Sequence, residues 1–143
     1  MSDIETKKLE EANLALTKEV FFRFGSHDVD GIVELLHEDA HIEFYGPSEI
    51  PYAGDYNGLS ECREFFTTVL SSVDIHVFEA DEYICENDKV IVVGHLRLTT
   101  KTNGNEIKSP FVHVITCKDG KWLWFRDFMN TTVAYKAFTN NAA

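Results

Sequence analysis

Between Asp74 and Asn130 three turn signals, Asn87-Asp88, Asn103-Gly104 and Asp119-Gly120, cut the chain into four runs: 74–84, 89–101, 106–117 and 121–130. Asn-Gly and Asp-Gly accept the positive φ of type I′ turns, whose twist matches that of two paired strands. The runs between them are rich in Val, Ile, Leu, Phe and Trp, which favour strands. Consecutive strands joined by tight turns make an antiparallel meander. Strands of this length twist and coil, so the sheet is expected to be strongly curved.

Upstream of Asp74 the period is helical. Apolar residues at Leu9, Ala12, Leu16, Val20 and Phe24 define an amphipathic helix over 4–24, stopped by Gly25. Asp28 or Asp30 is placed to cap a short second helix carrying Ile32, Val33, Leu35 and Leu36. From Ala40 to Phe44 apolar and polar residues alternate, which predicts a strand. A third helix is expected after Asn57 or Ser60, with Leu59, Cys62, Phe65, Phe66, Val69 and Leu70 on its apolar face. This order predicts an α+β fold, a cone-shaped barrel of three N-terminal helices on a curved, mixed but mostly antiparallel sheet. The 143 residues are read as one domain, 1–143. Such a cone has an open end, and a pocket between sheet and helices.

Phe44–Gly58, FYGPSEIPYAGDYNG, joins the first strand to the third helix and is read as a loop. It is unusually greasy for one. Phe44, Tyr45, Tyr52 and Tyr56 are therefore expected to form the pocket rim, with tyrosine hydroxyls at its edge.

The formal charge of −11 repels phosphate backbones and anionic lipid, so neither nucleic acid nor membrane is an expected partner. Cys62, Cys85 and Cys117 are few and widely spaced, which fits free thiols in a reducing compartment. The opening MSDIETKK has no apolar signal core, and no run of 18 apolar residues follows. The expected location is cytoplasmic.

Two groups of residues invite chemistry. His37-Glu38-Asp39-Ala40-His41 has the H-E-x-x-H form of zinc proteases, which needs both histidines on one continuing helix. Strand alternation already begins at Ala40, so the segment is read as an acidic helix-to-strand junction, and no metal is expected. The second group is His113, Arg126 and Asp127 in the last hairpin, among Phe111, Trp122, Trp124 and Phe125. A carboxylate and an imidazole in an apolar setting suit general acid-base work. An ideal two-residue turn pairs Lys118 with Lys121, hence His113 with Arg126, and turns His113 and Asp127 to opposite faces. One β-bulge would bring them to the same face. Phe111, Trp124 and Arg126 are counted with the pocket residues. Trp122, Trp124, Arg126 and Phe128 share one strand parity, and if it faces outward they form an interface patch.

HDVDGIVELLHEDAHIEF (27–44), Tyr45-Gly46-Pro47, Pro51-Tyr52-Ala53-Gly54, Gly58, Asp119-Gly120-Lys121 and Arg126-Asp127-Phe128 resemble SnoaL-like and ketosteroid-isomerase-related proteins of the nuclear transport factor 2-like superfamily. The resemblance spans nearly the whole chain. It implies a cone-shaped fold, a pocket at the open end and a homodimer. It also implies departures. The isomerases' catalytic base aligns with Phe44 and their oxyanion tyrosine falls near Val20, so ketosteroid isomerisation by the usual mechanism is not expected. The epoxide hydrolases' Arg-x-Asp falls near Gly94 and Leu96, which leaves that triad incomplete. SnoaL-type polyketide cyclases resemble the chain best, with a histidine fourteen residues before an acid-base aspartate, matching His113 and Asp127. The implied activity is isomerase or cyclase chemistry next to a carbonyl, on a small apolar molecule, without a cofactor. A non-catalytic binder of a small apolar ligand, or a dimeric interaction module, are the alternatives.

Overall fold

A computed structural model describes residues 2–140. Helix α1 (Asp3–Gly25) starts where the Ser2 hydroxyl accepts the Glu5 N–H at 3.1 Å, with Asp3 and Glu5 in its positive first turn. Its buried stripe is Asn13, Thr17, Val20 and Phe24, while Ala12 is exposed and Leu9 and Leu16 are half-buried. The stripe is displaced from the expected one because Thr17 meets a buried partner: the Trp122 indole donates to its hydroxyl at 3.1 Å.

Helix α2 (Val29–Val33) is capped by the Asp28 carboxylate, which accepts the Gly31 N–H at 2.9 Å. Strand β1 (Leu36–Phe44) follows, so the second helix is shorter than its apolar residues predict. The whole H-E-x-x-H segment is extended. His37 and His41 stand about 13 Å apart along the strand, at ~3.3 Å per residue, too far to share one ion.

The aromatic segment contains a strand that its glycines and prolines disguised. Strand β2 (Gly54–Asn57) pairs antiparallel with β1, His41 opposite Asn57 and Phe44 opposite Gly54. Helix α3 (Gly58–Ser72) begins where the Glu61 carboxylate accepts the Asn57 backbone N–H at 3.0 Å, and buries Cys62, Phe65 and Phe66.

The meander is β3 (Val73–Glu86), β4 (Lys89–Thr100), β5 (Glu106–Lys118) and β6 (Lys121–Met129), close to the four expected runs. Strand β1 adds to it in parallel beside β6, giving one six-stranded mixed sheet in the order β2-β1-β6-β5-β4-β3. The sheet curves but does not close, so the barrel of the sequence reading is an open cone with helices on one face. Asp119 and Gly120 have φ of 53° and 75°, as a type I′ turn requires. At Asn103-Gly104 only Gly104 has positive φ, and the connection is longer than a two-residue turn. The Asn103 side chain is used elsewhere: its amide donates to the carbonyls of Ala137 and Asn140 at 3.0 Å. Those carbonyls end helix α4 (Thr131–Thr139), a fourth helix beyond the three expected, capped by the Asn130 side chain on Val133 N–H.

The last hairpin is bulged. Thr116 faces Trp124 and Cys117 faces Trp122, which leaves Leu123 unmatched in β6. Trp122 therefore turns inward and is 2 % exposed, while Trp124, Arg126 and Phe128 alternate on the other face. The expected four-residue outer stripe loses Trp122 for this reason. Gly94 marks a close approach, because a Cβ there would overlap both the Glu79 carbonyl oxygen and the Phe111 ring.

Candidate functional site

Between α1, α3 and the inner face of the sheet lies a cavity of about 60 Å³. Its walls are almost entirely hydrocarbon, with Val20, Phe21 and Phe24 from α1, Phe65 and Phe66 from α3, and Phe78, Leu96, Phe125 and Met129 from the sheet. Three lining residues carry groups that exchange or share protons: Tyr52, His113 and Asp127.

The bulge at Leu123 brings two of these together. His113 stands opposite Asp127, and His113 Nε2 is 3.2 Å from Asp127 Oδ1. The imidazole is buried, stacked on Phe111 with centroids 4.3 Å apart, and edged by Phe125 at 4.8 Å and Phe21 at 5.7 Å. The other ring nitrogen, Nδ1, has no hydrogen-bond partner among the described residues. One Asp127 oxygen thus lies against the imidazole, while the side chain is 15 % exposed.

Tyr52 comes from the aromatic segment and is 3 % exposed. Its ring is held edge-on by Phe44 at 5.0 Å and Phe138 at 5.9 Å. Its hydroxyl has no hydrogen-bond partner among the described residues. Burial, and then the nearby Asp127 charge, push its phenol far above the ordinary value. The sequence reading set Tyr52 at the rim, whereas it lies in the interior.

The remaining expected pocket residues divide. Phe44 lines the cavity and is buried, part of its apolar wall. Phe111 lies one layer behind, stacked between Phe78 at 4.7 Å and His113. Tyr56 is not at the mouth: its hydroxyl donates to the Tyr52 carbonyl at 3.0 Å and its ring packs on Phe65. Tyr45, Trp124 and Arg126 sit on the opposite face of the sheet. There Tyr45 stacks on Phe128 at 4.8 Å and Arg126 lies 4.0 Å over the Trp124 ring. The Tyr45 hydroxyl and the Trp124 indole both donate to Glu43 at 2.7 Å. The Tyr45 bond, ahead of the Trp124 bond, holds the Glu43 carboxyl below its usual range. Strand alternation sends Tyr45 outward, since neighbouring Phe44 points inward.

Two groups of potential metal ligands exist among the described residues, His41-Glu43-Asp55 and Glu79-Asp81-His95, each with ligand atoms within 4.8 Å of one another. Neither is in the cavity. Glu43 already serves Tyr45 and Trp124, and His95 Nδ1 is bonded to Asp81 at 2.8 Å. Cys62 is fully buried, donates weakly to the Ala40 carbonyl at 3.6 Å, and has its thiol pushed up to about 11, chiefly by burial. That is the behaviour of a packing residue rather than a nucleophile.

An open six-stranded cone with helices over one face of the sheet is the architecture of the nuclear transport factor 2-like proteins. Within that class the chain belongs to the SnoaL-like family, whose domain model matches residues 18–125. No curated protein matches the sequence at a significant level. Among solved structures it is similar to a nuclear transport factor 2-like protein from Burkholderia xenovorans LB400, with TM-score 0.84 and 22% identity over 91% of this chain and 98% of that one. It is also similar to TerC co-crystallised with polyporic acid, with TM-score 0.78 and 22% identity over 90% and 99%. A protein from Jannaschia sp. CCS1 classed as a SnoaL-like polyketide cyclase superposes with TM-score 0.73 and 16% identity over 92% and 94%. At these identities the likeness concerns the fold. No helix of the described residues is long and apolar enough to cross a membrane.

Proposed function

We propose that the protein is a cofactor-independent acid-base catalyst that moves a proton next to the carbonyl of a small, apolar molecule, as an isomerase or cyclase does. The observation that carries this is the contact of His113 Nε2 with Asp127 Oδ1 at 3.2 Å inside an aromatic cavity. Asp127 is the general base. It takes the proton from the carbon beside the carbonyl, the C–H electron pair becomes a C=C bond, and the carbonyl π pair moves to oxygen. Where the substrate carries a C=C next to that carbon, the enolate is a dienolate. Asp127 then returns the proton at the far end of the C=C, the double bond moves into conjugation, and the oxygen pair re-forms the carbonyl. His113 is a positioning residue: it holds one carboxylate oxygen so that the other faces the ligand. Dry aromatic walls keep competing water from the enolate. A fold neighbour co-crystallised with polyporic acid and another classed as a SnoaL-like polyketide cyclase support a small organic ligand.

The experiment is α-proton exchange in D2O with small cyclic ketones. Deuterium incorporation is expected, and Asp127→Asn should slow it by about 10²-fold or more. Exchange that survives this substitution unchanged removes Asp127 from the mechanism.

A second reading is a binder without chemistry, and the cavity size favours it. At about 60 Å³ the cavity is smaller than the ~150 Å³ that holds benzene, so a ring-sized ligand needs the walls to give. The flexible side chain of Met129 is where this is easiest. Tight ketone binding with no exchange selects this reading. In either case we place the protein in the cytoplasm as a single domain, without nucleic-acid partners. We take it as a homodimer joined through the outer sheet face of Trp124 and Phe128.

A further inference from the structure

Five buried side-chain nitrogen or oxygen atoms among the described residues have no partner: Asn13 Nδ2, Tyr52 Oη, His113 Nδ1, Thr116 Oγ1 and Arg126 Nε. Of these residues, Tyr52 and His113 line the cavity. Native interiors keep few such groups, and each calls for a physical reason. We propose that Tyr52 is the hydrogen-bond donor that fixes the oxygen of a neutral cyclic ketone in the cavity, with the carbon beside the carbonyl turned to Asp127. This rests on the acid-base reading above, to which it adds the substrate class and the group that receives the developing charge.

Four observations converge on it. Tyr52 can only be a donor here, because burial and the neighbouring Asp127 charge both disfavour its phenolate. It is rigid: Phe44 and Phe138 hold the ring, and its backbone carbonyl is tied to the Tyr56 hydroxyl. Of the other lining polar groups, the Trp122 indole is committed to Thr17, and His113 Nε2 lies 3.2 Å from Asp127 Oδ1. No Lys or Arg lines the cavity, so a carboxylate or phosphate would lie unpaired beside Asp127, and a neutral ligand is selected.

The electron flow makes the donor catalytic. As Asp127 removes the proton, negative charge gathers on the ligand oxygen, and a fixed donor there binds the transition state more strongly than the ground state. The hydroxyl is pre-set and needs no reorganisation, since no described residue offers it another bond.

The test uses cyclopentanone and methylenecyclopentane, which share a shape but differ in the acceptor oxygen. Wild-type protein should bind the ketone more tightly, and Tyr52→Phe should erase that preference by weakening ketone binding about five- to tenfold. The carbonyl stretch of bound cyclopentanone should move to lower frequency in wild type and return towards its apolar-solvent position in Tyr52→Phe. Equal binding of the two probes by wild type, or an unshifted carbonyl band, overturns the proposal. Proton exchange read in Asp127→Asn reports separately on the acid-base reading. A shifted band with Asp127-independent exchange keeps Tyr52 as the donor and discards Asp127 as the base. Asp127-dependent exchange without a band shift does the reverse.

Discussion

The Tyr52 hydroxyl is buried without a partner among the described residues, on a ring that Phe44 and Phe138 hold in place and a backbone carbonyl that Tyr56 binds. An unsatisfied buried hydroxyl costs about 1–3 kcal/mol. Tyr52→Phe is therefore expected to stabilise the ligand-free protein by about 1 kcal/mol in urea unfolding, while it weakens ketone binding. A mutation that stabilises the fold and harms function is the mark of a group kept for a ligand. The same residue sets a pH dependence. Its folded-state pKa is raised above the ordinary 10.0, so the native state holds this proton more tightly than the unfolded chain does. The resulting stability is complete below pH 10 and is lost as pH rises from there towards the folded value. Thermal melts of wild type and Tyr52→Phe should thus diverge progressively above pH 10. Parallel curves would mean that the phenol is hydrated. In the sequence Tyr52 and Tyr45 look alike, both tyrosines in one aromatic stretch. Their fates differ because Tyr45 follows β1 in strand alternation, whereas Tyr52 packs under α4, a contact that no local period announces.

The last hairpin shows how an element can hide its own register. Asp119-Gly120 fixes the turn and Lys118 pairs with Lys121, as the dipeptide requires. One extra residue, Leu123, then exchanges the two faces of β6 from Trp124 onward. Asp127 faces the cavity for that reason, and Arg126 faces away. The pairing of His113 with Asp127 was legible as a bulged alternative, but the bulge's position was not, since every residue from Trp122 to Phe125 is apolar. Strand β4 carries a second constraint at Gly94, where β3 and Phe111 crowd the backbone. Gly94→Ala is expected to cost about 1–3 kcal/mol in chemical denaturation, as overpacking does. Because Phe111 stacks on His113, the His113 ring proton shifts should move in the same variant. Unchanged shifts and stability would mean that the strand yields without cost. Helix α4 was readable in principle: Val133, Ala134, Ala137 and Phe138 have helical spacing.

Across the molecule, the helices cover one face of the sheet and leave the other bare. That bare face carries Phe128, 39 % exposed, Tyr45, 41 % exposed, and the Trp124–Arg126 stack. An apolar patch on an uncovered sheet is a contact surface, and a second copy of the chain is the occupant expected here. Sedimentation should give a dimer, and Phe128→Asp should shift it to monomer without unfolding, because this side chain is outside the core. A wild-type monomer at micromolar concentration overturns the expectation. Local pattern alone carries the α+β order, the four meander strands and the Asp28 cap, because periodicity, turn chemistry and capping act over a few residues. The approach of His113 to Asp127 was legible too, through two residue types among aromatics and a resemblance in their spacing. Which side of the sheet each group occupies was settled elsewhere: by a one-residue bulge, by the parallel docking of β1 on β6, and by contacts such as Trp122 with Thr17 and Asn103 with α4. These join segments far apart in the chain, and a strand's two faces differ by a single residue step, so small tertiary choices decide what the cavity contains.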